Sequence, residues 1–172
     1  MTLHASTLDT PLGPFSAIVD DDALVAAGFV ADAEEMHQRL DVLRRPRPLT
    51  ITRDLGAVTV AVRDYFAGEV AAIDALPVEQ PGGVFRTAAW KAMRAVPPGE
   101  TISYRELAAQ AGSPGAGQAA GSACAQNRVA LVVPCHRIIR TGGGPGGYYY
   151  GLSAKAWLLA HERGERAALR LG

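Results

Sequence analysis

Two residues capable of nucleophilic chemistry, Cys135 and His136, stand next to each other after the apolar run 131–133. A thiol is a strong nucleophile only as the thiolate, and a neighbouring histidine with an acidic partner is a common way to generate one. Pro134 ends the apolar run, which places the thiol at the end of a predicted buried strand, where reactive groups tend to lie. These features predict a cysteine nucleophile.

Cys135 has an alternative interpretation, as a small apolar side chain buried in the core. A cysteine after a valine-rich run often has that role. The segment that follows favours a ligand site instead. The loop 141–151 is rich in glycine and contains three consecutive aromatic residues, Tyr148, Tyr149 and Tyr150. Flexible backbone and aromatic rings suit close contact with a flat ligand.

The composition is that of an ordinary globular protein without electrostatic bias. The chain has 172 residues, 48% of them hydrophobic and 20% charged, and its formal net charge is zero. A strongly electrostatic nucleic-acid binder is not expected, although a local basic patch is compatible with these numbers. The two cysteines form no disulfide framework, and a reducing cytoplasm is the expected location. We find no secretory signal, membrane-spanning run or zinc-ligand spacing, and we expect neither a metal nor another cofactor.

The first half of the chain has the pattern of a small α/β lobe, expected over 1–81. Alternating and helical spacings of apolar residues indicate its elements, and an acidic turn at 20–22 joins the first two strands. We therefore expect a small antiparallel sheet with helices. The predicted strands are 14–19, 23–30 and 71–78, and the predicted helices are 32–43 and 54–66.

The second half is predicted to be a mainly helical lobe over 82–172. An amphipathic helix is followed by two short helices around a tight turn, which is the arrangement of a helix-turn-helix. Ser113 and Pro114 fit the N-cap and the first position of the second short helix. The predicted helices are 84–96, 101–111 and 115–126.

The second of these short helices is unusual because it has no charged residue from Pro114 to Gln126. Gly117 and Gly121 lower helix propensity, so a requirement other than helix stability selects them. One interpretation is tight packing of the helix against the core. The other is entry of the helix into a narrow groove, and the pattern alone leaves both open.

Taken together, these residues resemble the O6-alkylguanine-DNA alkyltransferase family. The run Pro134-Cys135-His136-Arg137 is similar to that family's active-site signature. From about Phe85 to Glu162 the similar motifs occur in the family's order and spacing, whereas the first lobe resembles the family more loosely. The further similar segments are 65–69, 85–90, 99–104 and 158–162.

The resemblance implies a DNA repair reaction in which Cys135 takes the alkyl group from O6 of guanine and is consumed by one turnover. In the family's arrangement His136 deprotonates Cys135 through a water, and Glu162 orients His136. Tyr104 would donate a proton to the purine. Asn127 would brace the turn that holds the cysteine.

The resemblance also implies a pocket for the extruded base. Tyr148 matches the family's tyrosine that packs against the base. The backbone of Cys135, Ile138 and Tyr149 is expected to form hydrogen bonds with the edge of the base. Tyr149 and Tyr150 replace smaller residues at the pocket rim, so we expect methyl adducts to be accepted and bulky benzyl adducts to be poor substrates.

Double-stranded DNA containing O6-alkylguanine is the partner that the resemblance implies, bound by a monomer through the minor groove. The target base must rotate out of the stack before it can react. The uncharged helix is expected in the minor groove, which is only about 6 Å wide. Gln118 stands where the family has an arginine finger. The residues expected at this interface are Ala116, Gln118, Ala119, Gly121, Ser122 and Arg128.

Two other functions stay open because the helix is uncharged. One is a protein that binds alkylated DNA without efficient transfer, although Cys135 disfavours it because related lesion-binding proteins lack the cysteine. The other is a thiol acceptor for alkyl donors outside duplex DNA. Arg137 belongs to the signature, and a structural ion pair is its expected role.

Overall fold

The structure, a computed structural model, describes residues 2–165. A small mixed sheet with helices forms the first of two units, and a mainly helical part forms the second, which is the predicted fold class. The first unit runs to Pro81 and also includes Arg128–Val132, while the second consists of Gly82–Asn127 and the residues from Val133 onward. No helix within residues 2–165 is both long and apolar enough to cross a membrane.

The first unit is built on four strands and two helices: β1 (Leu3–Thr10), β2 (Gly13–Asp20), β3 (Ala23–Gly28), α1 (Ala33–Gln38), β4 (Leu49–Ile51) and α2 (Ala57–Phe66). The strand order is β3-β2-β1-β4. β2 is antiparallel to both of its neighbours, but β4 is parallel to β1, so the sheet is mixed rather than antiparallel. Leu3, Ile18 and Val25 from three strands share a core with Ala33 and Leu40.

Strand prediction was incomplete in this unit. The sequence pattern did not indicate β1 or β4, because the serine, threonine and aspartate residues of β1 weaken its apolar alternation. The predicted strand 71–78 was wrong. Ile73 and Leu76 are buried three residues apart in a run of turns, and Val78 alone forms a bridge, to Leu24.

The helix predicted at 32–43 is shorter than expected and ends at Gln38. The Asp41 carboxylate accepts the backbone N–H groups of Leu43 and Arg44 at 3.1 and 3.2 Å. An aspartate that bonds the backbone two and three residues ahead stabilises a turn in competition with the helix. Leu43 consequently lies exposed at the surface instead of on a helical core face.

The second unit contains α3 (Val84–Ala95), β5 (Ile102–Ser103), α4 (Tyr104–Gln110), α5 (Gly117–Ala125), a 3-10 helix (Cys135–Arg137), β6 (Ile138–Ile139) and α6 (Leu152–Glu162). Helices α4 and α5 form the predicted helix-turn-helix. A capping box at Ser103 and Glu106 begins α4, since each side chain binds the other residue's backbone N–H. Trp90 of α3 donates its indole N–H to the carbonyl of Ala123 at 2.9 Å, which joins α3 to α5.

Two local predictions for this unit were wrong. α5 begins at Gly117 with Ala116 as its N-cap, so Ser113 and Pro114 belong to the preceding turn. The run 131–133 before Cys135 is fully buried but is not a strand, because Leu131 has a φ of 74°. A short, wholly buried apolar run carries no period that distinguishes a strand from irregular backbone.

An ion-pair cluster in the first unit holds the end of β2 against the segment after α1. Arg47 donates two hydrogen bonds of 2.7 Å to the Asp20 carboxylate, and Arg44 donates a third of 2.9 Å. The hydrogen bonds from Arg47 and Arg44 lower the pKa of Asp20 to about 2. Arg44 also binds Asp41 and Glu79, so one guanidinium connects three carboxylates.

We predict that Asp20→Asn lowers the free energy of unfolding at neutral pH by about 1 to 2 kcal/mol, a value reduced for solvent screening of these partly exposed groups. Because folding depresses the pKa of Asp20, its contribution is present above its unfolded pKa and is lost as the pH falls toward about 2. Urea denaturation at several pH values measures this. Asp9→Asn, an exposed aspartate on β1, is the matched control, and an equal loss in both variants would contradict the prediction.

Candidate active site

One buried carboxylate, that of Glu162 at the end of α6, organises the candidate site. It accepts the Nε2–H of His136 at 2.8 Å. Arg137 donates two further hydrogen bonds to it, from Nε at 2.9 Å and from Nη2 at 3.0 Å. The backbone N–H of Gly99 donates a fourth at 3.3 Å. Arg137 is 2% exposed and forms the structural ion pair expected for it.

The charges of this cluster follow from burial and pairing. Burial raises the pKa of the Glu162 carboxyl, but His136 and Arg137 outweigh it and hold the pKa far below its usual range. Burial lowers the pKa of His136. A charged Glu162 beside a neutral imidazole requires Nε2 to carry the proton. Nδ1 of His136 therefore has the free lone pair, and no residue among 2–165 forms a hydrogen bond with it.

Cys135 is the first residue of the 3-10 helix and is half-buried. Burial raises the pKa of its thiol, while a hydrogen bond from Asn127 and the charge of Lys155 act in the opposite direction. Asn127 also donates from Nδ2 to the carbonyl of Val133 at 2.8 Å, and that carbonyl accepts the N–H of Cys135 at 2.9 Å. The thiol is thus held protonated at rest on a turn that Asn127 fastens.

Lys155 is a site residue that the sequence analysis missed. It lies on α6 and is only 1% exposed, and its Nζ donates to the carbonyls of Ile138 at 2.6 Å and Gly147 at 3.3 Å, and also to that of Pro145. It fastens the glycine-rich loop to β6. The available signal was helical spacing, because Lys155, Leu158 and Glu162 share the buried face of α6.

Tyr104 begins α4, and its hydroxyl group lies against the glycine-rich loop. The backbone of Gly147 forms a hydrogen bond with it. A Cβ added to Gly146 would come within 2.6 Å of the Tyr104 hydroxyl, so this contact requires glycine at a residue whose φ is also +71°. Burial raises the pKa of Tyr104, which keeps the phenol protonated and able to donate.

The three loop tyrosines form a chain of edge-to-face contacts. The Tyr148 ring lies 6.3 Å from the ring of His136 and 5.6 Å from that of Tyr150. Its hydroxyl is buried without a hydrogen-bond partner among the described residues. Tyr149 contacts Tyr150 at 4.9 Å but is 69% exposed. Tyr148 therefore belongs to the interior of the site, and Tyr149 to its outer edge.

The carbonyls expected to bind the base already form one hydrogen bond each. That of Ile138 accepts from Lys155, and that of Cys135 accepts the N–H of Ile138. A carbonyl oxygen has two lone pairs, so each can accept one more hydrogen bond. The expectation that they bind the base stays a prediction.

Helix α5 has two different faces, one packed against the core and one open. Ala120 and Ala123 are buried in the unit's core. A Cβ added to Gly117 or Gly121 would meet nothing within 4 Å among the described residues. The alanines therefore serve internal packing, whereas the glycines face open space and are not required by the protein's own packing. Ala119 and Ser122 are exposed as well.

A cavity of about 460 Å³ lies beside the open face of α5. It brings Gln118 and Gly121 together with Tyr104. Arg128 belongs to the first unit, where its backbone binds Gln80 and Ala27. The residues that line the cavity are Tyr104, Arg105, Gly115, Gly117, Gln118, Gly121, Arg140 and Thr141. Residues 2–165 contain no cluster of three potential metal ligands.

Comparison with known protein families gives two matches that together cover most of the chain. Residues 84–164 match the 6-O-methylguanine DNA methyltransferase, DNA binding domain. Residues 3–80 match the 6-O-methylguanine DNA methyltransferase, ribonuclease-like domain.

Individual relatives agree with these matches. The chain is 40% identical over 166 residues to the methylated-DNA–protein-cysteine methyltransferase of Shigella flexneri, with 94% of this chain and 96% of that protein covered. It is 37% identical over 169 residues to the protein of the same name from Mycobacterium tuberculosis, covering 96% of each chain. The fold is similar to the crystal structure of Mycobacterium tuberculosis OGT in complex with DNA, with a TM-score of 0.80, 31% identity and 96% of each chain covered.

We predict that Glu162→Gln lowers the free energy of unfolding by about 3 to 5 kcal/mol, because a neutral amide leaves the buried Arg137 guanidinium without its counter-charge. Urea denaturation at neutral pH measures the change. Glu100→Gln, an exposed change in the turn before β5, should cost little. Equal midpoints for Glu162→Gln and the unmodified protein would contradict the central role of this carboxylate.

Proposed function

The chain belongs to the 6-O-methylguanine DNA methyltransferase family, and from this we propose that it repairs DNA by transferring the alkyl group of O6-alkylguanine to Cys135. The observation that carries the proposal is the constellation of a half-buried thiol, a neutral buried imidazole and a charged Glu162. The activity is that of a methylated-DNA–protein-cysteine methyltransferase. Because the product is a thioether, which no neighbouring group can hydrolyse, each molecule acts once.

The reaction begins with proton transfer from the thiol. Burial keeps Cys135 protonated at rest, so a base must act when the substrate is bound. His136 is the proposed base, because its Nδ1 lone pair is free while Glu162 holds Nε2. The Glu162 carboxylate then stabilises the imidazolium ion that forms.

The thiolate attacks the alkyl carbon, a C–S bond forms, and the bond from that carbon to O6 breaks. The electron pair passes to the purine, which becomes a better leaving group if it is protonated at the same time. Tyr104 is the proposed proton donor, because its phenol is protonated at rest and its hydroxyl already contacts the loop at Gly147. In the net reaction guanine gains the proton that Cys135 loses, and the sulfur gains the alkyl group.

Duplex DNA is the proposed partner, with the open face of α5 in the minor groove. Glycines that no internal contact requires permit close approach to the floor of a groove about 6 Å wide. Gln118 lines the same cavity as Tyr104 and is the residue proposed to contact base edges. The contacts of Ala116, Ala119, Ser122 and Arg128 with DNA are part of the same proposal.

The two competing functions are not favoured. A lesion-binding protein without transfer does not need the arrangement around Cys135, and the relatives that match over 94% or more of the chain are named as methyltransferases. A thiol acceptor for alkyl donors outside duplex DNA would not require a DNA binding domain, yet residues 84–164 match the family model of one.

We propose that the chain has two lobes, 1–81 and 82–172, and that the second lobe carries out the alkyl transfer. In support, Tyr104, Asn127, Cys135, His136 and Glu162 all belong to the second structural unit. A cytoplasmic location is also proposed, supported by the free state of both cysteines and by the need for a reduced thiol.

We predict that the protein gains the mass of one methyl group when it is incubated with duplex DNA containing O6-methylguanine, and that Cys135→Ala abolishes the gain. Intact-protein mass spectrometry measures it. Cys124→Ala is the matched control, because burial raises the pKa of that thiol to about 12 and makes it a poor nucleophile. A methyl group retained by Cys135→Ala, or binding without any mass gain, would overturn the proposal.

We predict that methylguanine in duplex DNA reacts faster than benzylguanine, since Tyr149 and Tyr150 occupy the rim of the site. Replacing both, as Tyr149→Ser with Tyr150→Gly, should raise the relative rate for benzylguanine by about tenfold or more. Single-turnover rates for the two substrates measure this. Leu152→Ala, an exposed change at the start of α6, should leave the ratio unaltered. Equal rates for the two adducts in the unmodified protein would refute a narrowed entrance.

A further inference from the structure

The cavity beside α5 has its positive charge on neighbouring elements and not on α5 itself. Arg105 of α4 and Arg140, which follows β6, are the charged residues of its lining, and both are exposed. Neither forms an ion pair with any residue among 2–165. Two cations without counter-charges on one concave surface attract an anion.

Arg140 is held by a tight turn. Its N–H donates to the carbonyl of Gly144 at 2.7 Å, and its own carbonyl accepts the N–H of Gly143 at 3.0 Å. The aliphatic part of its side chain lies over Gly144, where an added Cβ would be 3.5 Å from Cδ. The turn and this packing hold the stem of a side chain that lines the cavity. A positioned side chain loses less conformational entropy on binding than a free one.

We propose that Arg140, together with Arg105, binds backbone phosphates of the DNA that lies against α5, and thereby supplies the electrostatic attraction that α5 lacks. This inference rests on the proposed function. Gln118 lines the same cavity as the two arginines, so we expect a base contact from Gln118 and phosphate contacts from the arginines to form together. Phosphate contacts of this kind fix the register of DNA without reading its sequence.

Each phosphate contact has a measurable signature in salt. Neutralising one phosphate contributes about 0.9 to the slope of log binding constant against log salt concentration. Loss of one arginine contact should therefore reduce the slope by about 0.9, and loss of both by about twice that amount. A side chain with only a structural role would not change the slope.

The test compares second-order rates of methyl transfer from duplex DNA over a range of salt concentrations for the unmodified protein, Arg140→Gln, Arg105→Gln and the double variant. We expect each single variant to react more slowly at low salt and to reduce the salt slope by about 0.9. Lys91→Gln removes the same charge from an exposed position of α3 outside the cavity and should keep the full slope.

Transfer from free O6-methylguanine nucleoside, which has no phosphate backbone, separates the outcomes. Equal nucleoside rates with a reduced duplex slope support the inference. An unchanged duplex slope in Arg140→Gln overturns it, as does an equal loss of rate with the nucleoside, which would mark a structural role. If the unmodified protein takes no methyl group from duplex DNA, the proposed function itself fails. This result is distinguishable from the two outcomes that overturn the inference, because both of those require transfer by the unmodified protein.

Discussion

The buried carboxylate of Glu162 is the constraint on which the second unit depends. It holds the end of α6, the 3-10 helix through His136 and Arg137, and the turn at Gly99, so three segments distant in sequence meet at one group. A buried charge is tolerated only when it is paired and fully hydrogen-bonded. Arg137 provides the counter-charge that lets Glu162 stay ionised beside a neutral His136. The carboxylate that stabilises the unit therefore also sets the tautomer of His136, the proposed base, so stability and the proposed reactivity depend on the same group.

Burial acts on the thiol and the imidazole in the same direction, toward their neutral forms. It raises the pKa of Cys135 and lowers that of His136. A permanent thiolate–imidazolium pair would react with any alkylating molecule that reached it. A neutral pair reacts only when proton transfer is coupled to attack on a positioned substrate. For a residue that is used once, such selectivity matters more than a fast resting nucleophile.

The residues that sequence could place were those whose signal is local. The run from Pro134 to Arg137 and the strand predicted over 14–19 are readable from neighbouring positions. The cap at Ser103 was missed, because the helix was predicted to begin at residue 101. The pairing of Glu162 with His136 was expected from family resemblance, because no local pattern links residues so far apart. Lys155 was not predicted as a site residue, because a lysine in a helix is usually exposed. Its burial is favourable only because the fold brings three backbone carbonyls to its ammonium group. The run before Cys135 was wrongly predicted to be a strand, because a completely buried run shows no alternation of apolar and polar residues.

In the proposed complex with DNA, the open face of α5 must combine close approach to a narrow groove with attraction for phosphates. A long cationic side chain on that face would add attraction but would also hold the helix away from the groove floor. Glycine at positions 117 and 121 favours close approach, and Gly121, in the interior of α5, costs about 1 kcal/mol of helix stability relative to alanine. Cations on α4 and on the turn after β6 would separate the two requirements, because Arg105 and Arg140 line one cavity with α5 without adding bulk to its open face. In the proposed arrangement, attraction for the phosphates does not require a charged residue on α5 itself.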